Sequence, residues 1–179
     1  MTFRTVKTGV PRRALLLMPL AYFGLDAIFN RKEHAIPDPP ASGPKLILPE
    51  AEWKRRLTPQ EFGITRKGGA GFAYTGRYWN HHATGVYRCV CCGAILFRSD
   101  EKFDSGTGWP SFRAPAVADA VYTRPDNSLQ HSTEVLCAGC DAHSGHVFDD
   151  GPAPTGVRYC INFAALRFQG GFESGAGKR

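Results

Sequence analysis

The feature that most constrains this chain is a pair of Cys-x-x-Cys motifs, Cys89/Cys92 and Cys137/Cys140, far apart in sequence. Zn²⁺ prefers four soft donors in a tetrahedron, and one Cys-x-x-Cys turn supplies two neighbouring corners of it. Two such turns close the coordination sphere and leave no position for a substrate. We therefore predict one structural zinc ion that joins two hairpin turns and stabilises a small domain.

The two other cysteines need separate explanations. Six cysteines in an exported domain also allow three disulfides, but the paired spacing argues against that alternative. Cys91 lies inside the first motif and could replace a zinc ligand only in a distorted turn. Cys160 has no partner at metal-ligand spacing and is left for another role.

Composition favours a strand-based domain of ordinary charge. A chain of 179 residues can bury one core, and 20 glycines with 13 prolines favour turns and strands over a helical bundle. Residues 1–33 hold six basic and two acidic side chains, which leaves only +2 of the formal charge of +6 for the rest. Zinc bound by four thiolates would contribute a charge of about −2, which would leave the rest of the chain roughly neutral. We therefore expect no nucleic-acid partner.

The first 45 residues are predicted to lie outside the folded domain. Arg12 and Arg13 precede the apolar residues 14–25, the length of a signal-peptide core, and adjacent arginines suggest twin-arginine export. A clear Ala-x-Ala cleavage site is missing, so residues 1–30 are either cleaved or kept as a membrane anchor. We predict a periplasmic or exported protein, with a basic tail on a cytoplasmic protein as the alternative. Residues 31–45 are predicted to form a proline-rich linker.

Residues 46–170 are predicted to form the domain and residues 171–179 a flexible tail. Residues 50–57, with Glu61 and Phe62, suggest one or two short helices, and Thr58-Pro59 suggests a helix start. The glycine-rich residues 104–112 predict a shaped loop. The predicted strands cover residues 86–89, 94–97, 133–136, 146–148 and 158–167.

Cys160 is the candidate nucleophile. A lone cysteine is ordinarily a small buried hydrophobe, but Asn162 would share a strand face with it, and His143 and His146 follow the second zinc turn directly. A nearby histidine lowers a thiol pKa and can act as a general acid. The alternatives for the two histidines are a second metal site or surface groups.

Long motifs follow one another along the chain, at residues 85–89 (GVYRC), 102–112 (KFDSGTGWPSF), 140–152 (CDAHSGHVFDDGP) and 154–162 (PTGVRYCIN). They resemble the methionine-R-sulfoxide reductases of the B type, and the likeness extends from about Leu57 to Phe168. The resemblance implies a mainly β fold, a small barrel-like domain of two antiparallel sheets preceded by short helices. It also implies reduction of the R epimer of methionine sulfoxide, free or in proteins.

The resemblance assigns a role to each candidate residue. The Cys160 thiolate attacks the sulfoxide sulfur and becomes a sulfenic acid, while His146, with His143, supplies the proton. Trp109 forms an aromatic wall for the substrate S-methyl group, and Asn162 fixes the substrate or the histidines. The implied partners are oxidised proteins or peptides and a thioredoxin-like or small-thiol reductant.

Two positions depart from the family pattern. Many members have a resolving cysteine where this chain has Thr107, so regeneration here must use an external thiol directly or another cysteine, of which Cys91 is the spare one. Phe163 stands where a small polar residue is usual, and it would pack under the site or narrow it. The rival hypothesis is a zinc-stabilised binding module that kept the scaffold and lost catalysis.

Overall fold

The computed structural model describes residues 43–126 and 132–171. Predicted segment 1–30 lies outside the described residues, as do most of the linker and most of the tail. Within the described ranges the fold is mainly β, with two short helices and two antiparallel sheets, as predicted. No helix in this part of the chain is both long and apolar enough to cross a membrane.

Both helices form where the sequence predicts them, α1 at Glu50–Arg56 and α2 at Pro59–Lys67. A capping box starts α2, because Glu61 N–H donates to Thr58 Oγ1 (3.2 Å) and Thr58 N–H donates to the Glu61 carboxylate (2.7 Å). Gly68 ends the helix in the left-handed conformation at φ 70°, which glycine adopts without strain. Helix α2 thereby places its last turn beside the second Cys-x-x-Cys turn.

The strands form a three-stranded sheet of order β2-β1-β9 and a six-stranded sheet of order β3-β4-β8-β7-β6-β5. These orders leave both sheets open, so the described strands do not close into a barrel. The strands are β1 Gly85–Cys89, β2 Ile95–Arg98, β3 Lys102–Phe103, β4 Ser111–Phe112, β5 Val121–Asp126, β6 Ser132–Cys137, β7 His143–Phe148, β8 Arg158–Ile161 and β9 Leu166–Gly170.

An aromatic core joins the two sheets. The rings of Phe97 on β2 and Phe112 on β4 stack with centroids 4.4 Å apart, and Tyr87 on β1 meets Phe112 edge-on at 5.0 Å. All three side chains are fully buried. Since β4 also pairs with β8, this core fixes the strand that carries Cys160.

The single strand predicted over residues 158–167 is wrong. Strand β8 ends at Ile161, a 3-10 turn covers Phe163–Ala165, and β9 begins at Leu166 in the other sheet. The break has a local cause, because Asn162 N–H donates to Ser144 O (2.8 Å) while Phe163 packs under a glycine-containing loop. An added Cβ at Gly76 would lie 2.2 Å from the Phe163 ring, so this close packing requires glycine there.

Candidate active site and metal centre

Four cysteines meet in one buried cluster. The sulfur atoms of Cys89, Cys92, Cys137 and Cys140 all lie within 4.8 Å of one another. The Sγ–Sγ distances are 3.7 Å for Cys89–Cys140 and 3.5 Å for Cys92–Cys137. Zn–S bonds of about 2.3 Å in a tetrahedron require sulfurs about 3.8 Å apart. The donor set and its size therefore fit a four-thiolate zinc ion.

The two metal turns are fixed by the chain around them. The first joins β1 to β2, and the second joins β6 to β7. Arg66 on α2 donates to Cys140 O (3.0 Å) and Asp141 O (3.2 Å), and Leu46 N–H donates to Gly139 O (2.8 Å). Helix α2 and the segment before α1 thus hold the second turn, immediately before His143.

Cys160 lies in a row of polar residues that crosses the six-stranded sheet. Residues directly opposite each other in antiparallel strands face the same side of the sheet. Cys160 on β8 pairs with Ser111 on one side and with His146 on the other, and His146 pairs with Glu134. The row therefore brings the predicted nucleophile and a predicted proton donor together as direct neighbours.

Opposing effects act on the Cys160 thiol, which is half-buried. Burial raises its pKa, while the Arg158 guanidinium and hydrogen bonds from Arg158 and Thr107 act to lower it. Arg158 is itself buried and donates Nε and Nη2 to the Asp150 carboxylate at 2.7 and 2.9 Å. The thiol is thus held protonated at rest beside a fixed positive charge.

His146 is bound to a carboxylate from the edge strand. Its Nε2 lies 2.9 Å from Asp126 Oδ2, and both side chains are mostly buried. A carboxylate accepts, so Nε2 carries the proton in this contact. The contact with Asp126 fixes the orientation of the His146 ring.

His143 is the more deeply buried of the two histidines and contacts a second carboxylate. Its Nδ1 lies 2.7 Å from Glu134 Oε1, and its ring centroid is 5.3 Å from that of His146. Burial lowers the pKa of His143, and Glu134 opposes that shift. His143 also lines a cavity of about 430 Å³ with Arg124 and residues 65–68.

Trp109 is carried by the loop between β3 and β4 and is partly exposed. Gly106 and Gly108 hold positive φ values of 69° and 83°, which shape the loop. Tyr74 braces it, because Tyr74 N–H donates to Gly108 O (2.9 Å) and its hydroxyl donates to Gly106 O. Pro110, next to Trp109, accepts a bond from Ile161 N–H (2.9 Å), which places the tryptophan beside the Cys160 strand.

Asn162 lies just beyond β8, in a different position from the shared strand face that the sequence predicts. Its side-chain oxygen accepts a hydrogen bond from Gly71 N–H (3.0 Å), and the residue is buried. In this arrangement Asn162 fixes the loop that leads to Tyr74. Asn162 thereby connects the end of strand β8 to the segment that contains Tyr74, and Tyr74 binds the Trp109 loop.

Cys91 faces α2 and is only 1% exposed. Its Sγ lies 3.3 Å from Thr65 Oγ1. No distance among the described residues tests a resolving role for Cys91, so that role stays a prediction.

Sequence reasoning missed four charged residues of the site: Arg124, Asp126, Glu134 and Arg158. Arg158 could have been found, because it precedes Cys160 by two residues and so shares its strand face. The other three come from β5 and β6, and no local pattern relates them to Cys160. Their positions depend on strand pairings that only the folded sheet reveals.

Comparison with known proteins gives a consistent result. A family model described as the SelR domain matches residues 57–170. The chain is 57% identical over 123 residues to the peptide methionine sulfoxide reductase MsrB of Synechococcus sp. (strain RCC307), a match that covers 67% of this chain and 89% of that protein.

Two further relatives show the same likeness. The chain is 54% identical over 120 residues to the peptide methionine sulfoxide reductase MsrB of Thiobacillus denitrificans, covering 66% of this chain and 91% of that protein. It is 57% identical over 122 residues to the chloroplastic peptide methionine sulfoxide reductase B1 of Arabidopsis thaliana, covering 67% of this chain and 60% of that protein.

Proposed function

This chain belongs to the methionine sulfoxide reductase B family, and from that premise we propose which of its residues perform the reaction. The protein reduces the R epimer of methionine sulfoxide to methionine. The observation that carries the assignment of the site is the cross-strand pair Cys160–His146, with Arg158 beside the thiol. Nothing in the described ranges favours a binding module without catalysis.

Cys160 is the nucleophile. Its thiolate attacks the sulfoxide sulfur, the sulfur–oxygen bond of the substrate breaks, and the oxygen ends on Cys160. One proton is consumed, and the products are methionine and a sulfenic acid on the enzyme. The substrate sulfur is reduced by two electrons and the cysteine sulfur is oxidised by two.

Arg158 and Thr107 promote formation of the thiolate. Burial favours the neutral thiol, so the positive charge of Arg158 supplies the main opposing stabilisation. Asp150 anchors the guanidinium through two hydrogen bonds and keeps it next to β8. Arg158 also lies over the Phe148 ring, 4.6 Å from its centroid, which fixes it further.

His146 delivers the proton to the oxygen. Its contact with Asp126 fixes the orientation of the ring, as a positioned general acid requires. Glu134 accepts from His143 Nδ1, which leaves Nε2 of that ring for a neighbour or for the substrate. The two histidine–carboxylate pairs thus hold both rings in fixed orientations beside the row of polar residues that contains Cys160.

Trp109 contributes the apolar wall of the substrate site. An aromatic face suits a methyl group on a polarizable sulfur. With the methyl group on Trp109 and the oxygen towards His146, only one epimer presents its sulfur to Cys160. We propose this arrangement as the origin of selectivity for the R form.

Cys89, Cys92, Cys137 and Cys140 would hold zinc as a structural ion. Four thiolates fill its coordination sphere, so the ion supplies cross-linking of the two turns and no open position for a substrate. Because β7 starts right after the second turn, the cross-link fixes His143 in place.

Recycling of the sulfenic acid uses an external dithiol or two small thiols. Two thiols reduce it to the Cys160 thiol, and a disulfide and water are released. Thr107 occupies the position from which a cysteine would resolve the intermediate, and its hydroxyl cannot form a disulfide. The alternative that Cys91 resolves it remains a prediction. We propose a thioredoxin-like protein or a small thiol as reductant, and oxidised proteins or peptides as substrates.

We propose that the protein acts outside the cytoplasm. Arg12 and Arg13 ahead of the apolar residues 14–25 support twin-arginine export, with membrane contact through residues 1–30 if they are retained. Fractionation of cells should recover the domain in the periplasm or the membrane. Recovery of the full-length chain in the cytoplasm would contradict the proposal.

The reaction is tested with the separated R and S epimers of N-acetyl-methionine sulfoxide and dithiothreitol. The protein should consume the R epimer and leave the S epimer. Replacing Cys160 with serine should lower the rate by more than about a thousandfold, as for other covalent nucleophiles. Zinc content should stay unchanged in that variant. Failure to consume the R epimer would overturn the assignment.

A further inference from the structure

Exposed aromatic side chains gather around the proposed active site. Five large hydrophobic residues are exposed in the described part of the chain, and three of them are aromatic: Phe72 (82%), Tyr74 (56%) and Phe148 (39%). The two aliphatic ones lie elsewhere, since Ile47 follows a residue bonded to the second metal turn and Val117 follows a residue bonded to β2. Clustered exposed hydrophobic side chains are unusual on a protein surface without a partner.

Contacts on both sides of Phe72 place it at the site. Gly71, immediately before it, donates to the Asn162 side chain (3.0 Å). Tyr74, two residues after it, donates to Gly108 O (2.9 Å), next to Trp109. Phe72 therefore lies on the short bridge between the end of the Cys160 strand and the Trp109 loop.

The turn that carries Phe72 is closed on itself. Phe72 O accepts from the Thr75 hydroxyl at 2.8 Å and from Thr75 N–H at 3.4 Å. A ring presented on a braced turn loses little conformational entropy when it is covered. Phe148 presents a second ring from β7, where it pairs with Arg158 on the face that carries Cys160.

We propose that Phe72, together with Phe148, binds the residues that flank methionine sulfoxide in a polypeptide, and that this surface prefers apolar flanking residues. This inference rests on the proposed function and extends it from the reacting side chain to the rest of the substrate. A methionine that was buried in a folded protein comes from a core segment, which also contains other apolar residues that unfolding exposes. A free amino acid would leave the aromatic surface uncovered.

The test compares three R-sulfoxide substrates: N-acetyl-methionine sulfoxide, a peptide with leucine flanks and a peptide with glycine and serine flanks. The wild-type protein should show the highest kcat/KM for the leucine-flanked peptide. Phe72→Ala should lower kcat/KM for that peptide about tenfold, mainly through KM, because an apolar contact is lost. It should change the rate on N-acetyl-methionine sulfoxide by less than about twofold.

Ile47→Ala is the matched control, since Ile47 is 81% exposed and lies near the second metal turn. It should leave all three rates unchanged, and Phe72→Trp should retain the preference for leucine flanks. Equal losses on all three substrates, or no loss on the leucine-flanked peptide, would overturn the proposal. So would a Phe72→Ala effect confined to self-association, which would assign the surface to a second copy. No turnover of N-acetyl-methionine sulfoxide by the wild-type protein would instead refute the proposed function itself.

Discussion

At the scale of single residues, the Cys160 thiol depends on a balance between burial and one cation. Burial favours the uncharged thiol, and the guanidinium of Arg158 favours the thiolate. Asp150 accepts two hydrogen bonds from Arg158. These bonds fix the guanidinium in place, and the negative charge of the carboxylate partly offsets its positive charge. Reactivity at neutral pH is therefore set by a residue two positions before the nucleophile.

Arg158→Met should raise the pKa of Cys160, because the positive charge that chiefly opposes the effect of burial is lost. At a given pH the thiolate fraction falls when the thiol pKa rises, so activity at neutral pH should drop about tenfold. The rate of Cys160 alkylation by iodoacetamide, measured against pH, should shift to higher pH. Arg158→Lys should shift it less, and an unchanged profile in Arg158→Met would contradict this account.

Thr107 offers a second test at this scale, because its side chain lies close enough to Cys160 to lower the pKa of the thiol. Thr107→Cys should place a second sulfur within reach, so substrate without reductant should yield a disulfide to Cys160. Mass spectrometry of the non-reduced protein would detect it, and thioredoxin-driven turnover should rise. Thr123→Cys, on the exposed edge strand β5, is the control and should leave the sulfenic acid unresolved. Persistence of the sulfenic acid in Thr107→Cys would contradict the geometry.

At the scale of elements, α2 contacts the Cys137/Cys140 turn and also contributes to the core. Arg66 in its last turn makes three hydrogen bonds to Cys140 O and Asp141 O, and its guanidinium lies 4.8 Å from the Trp53 ring centroid. The capping box and Gly68 fix both ends of the helix, and so fix where Arg66 points. The second turn is thus braced from outside as well as by the metal.

Arg66→Ala should lower the free energy of unfolding by about 2 kcal/mol, since partly buried carbonyl acceptors lose a charged donor. Zinc should also be released faster to a chelator. Arg55→Ala is the control, because the Arg55 side chain is 78% exposed and pairs with Glu52 on its own helix; it should change stability by less than about 0.5 kcal/mol. Equal effects of the two variants in thermal unfolding would contradict the bracing role.

Elements also show what the sequence could predict and what it could not. The two Cys-x-x-Cys turns were predicted from their spacing, and the start of α2 was predicted from Thr58-Pro59, because those signals are local. Residues 158–167 form an unbroken run compatible with one strand, and the break at Asn162 comes from distant contacts to Ser144 and Gly71. The roles of the Asp126 and Glu134 carboxylates could not be predicted for the same reason, because strand register decides which histidine each carboxylate contacts.

At the scale of the whole molecule, the four-cysteine cluster and the proposed reaction site lie at different places on the same scaffold. The four cysteines join the β1–β2 turn to the β6–β7 turn and so tie the two sheets together. The aromatic core makes the second connection between them, through Phe97 and Phe112. Cys160 lies on the six-stranded sheet. Its row of polar residues forms only when strands β4, β8, β7 and β6 pair in this register.

Loss of zinc should therefore unfold the domain. Cys140→Ala should abolish zinc binding, measured by elemental analysis, and should remove the cooperative thermal transition, because metal binding and folding are coupled in small domains. Cys91→Ser should retain zinc, since the four ligand sulfurs remain. A folded, cooperative Cys140→Ala variant would contradict a structural role for the metal.

The most direct test of the central claim is to locate the oxygen after one turnover. The protein is incubated with N-acetyl-methionine-R-sulfoxide without reductant, the sulfenic acid is trapped with dimedone, and tryptic peptides are analysed by mass spectrometry. Trypsin separates the peptide of residues 159–167 from the peptide of residues 89–98, so Cys160 and Cys91 are distinguished. We predict the adduct on Cys160, with N-acetyl-methionine released in equal amount. An adduct on another cysteine, or N-acetyl-methionine formed without any modification of Cys160, would contradict the account.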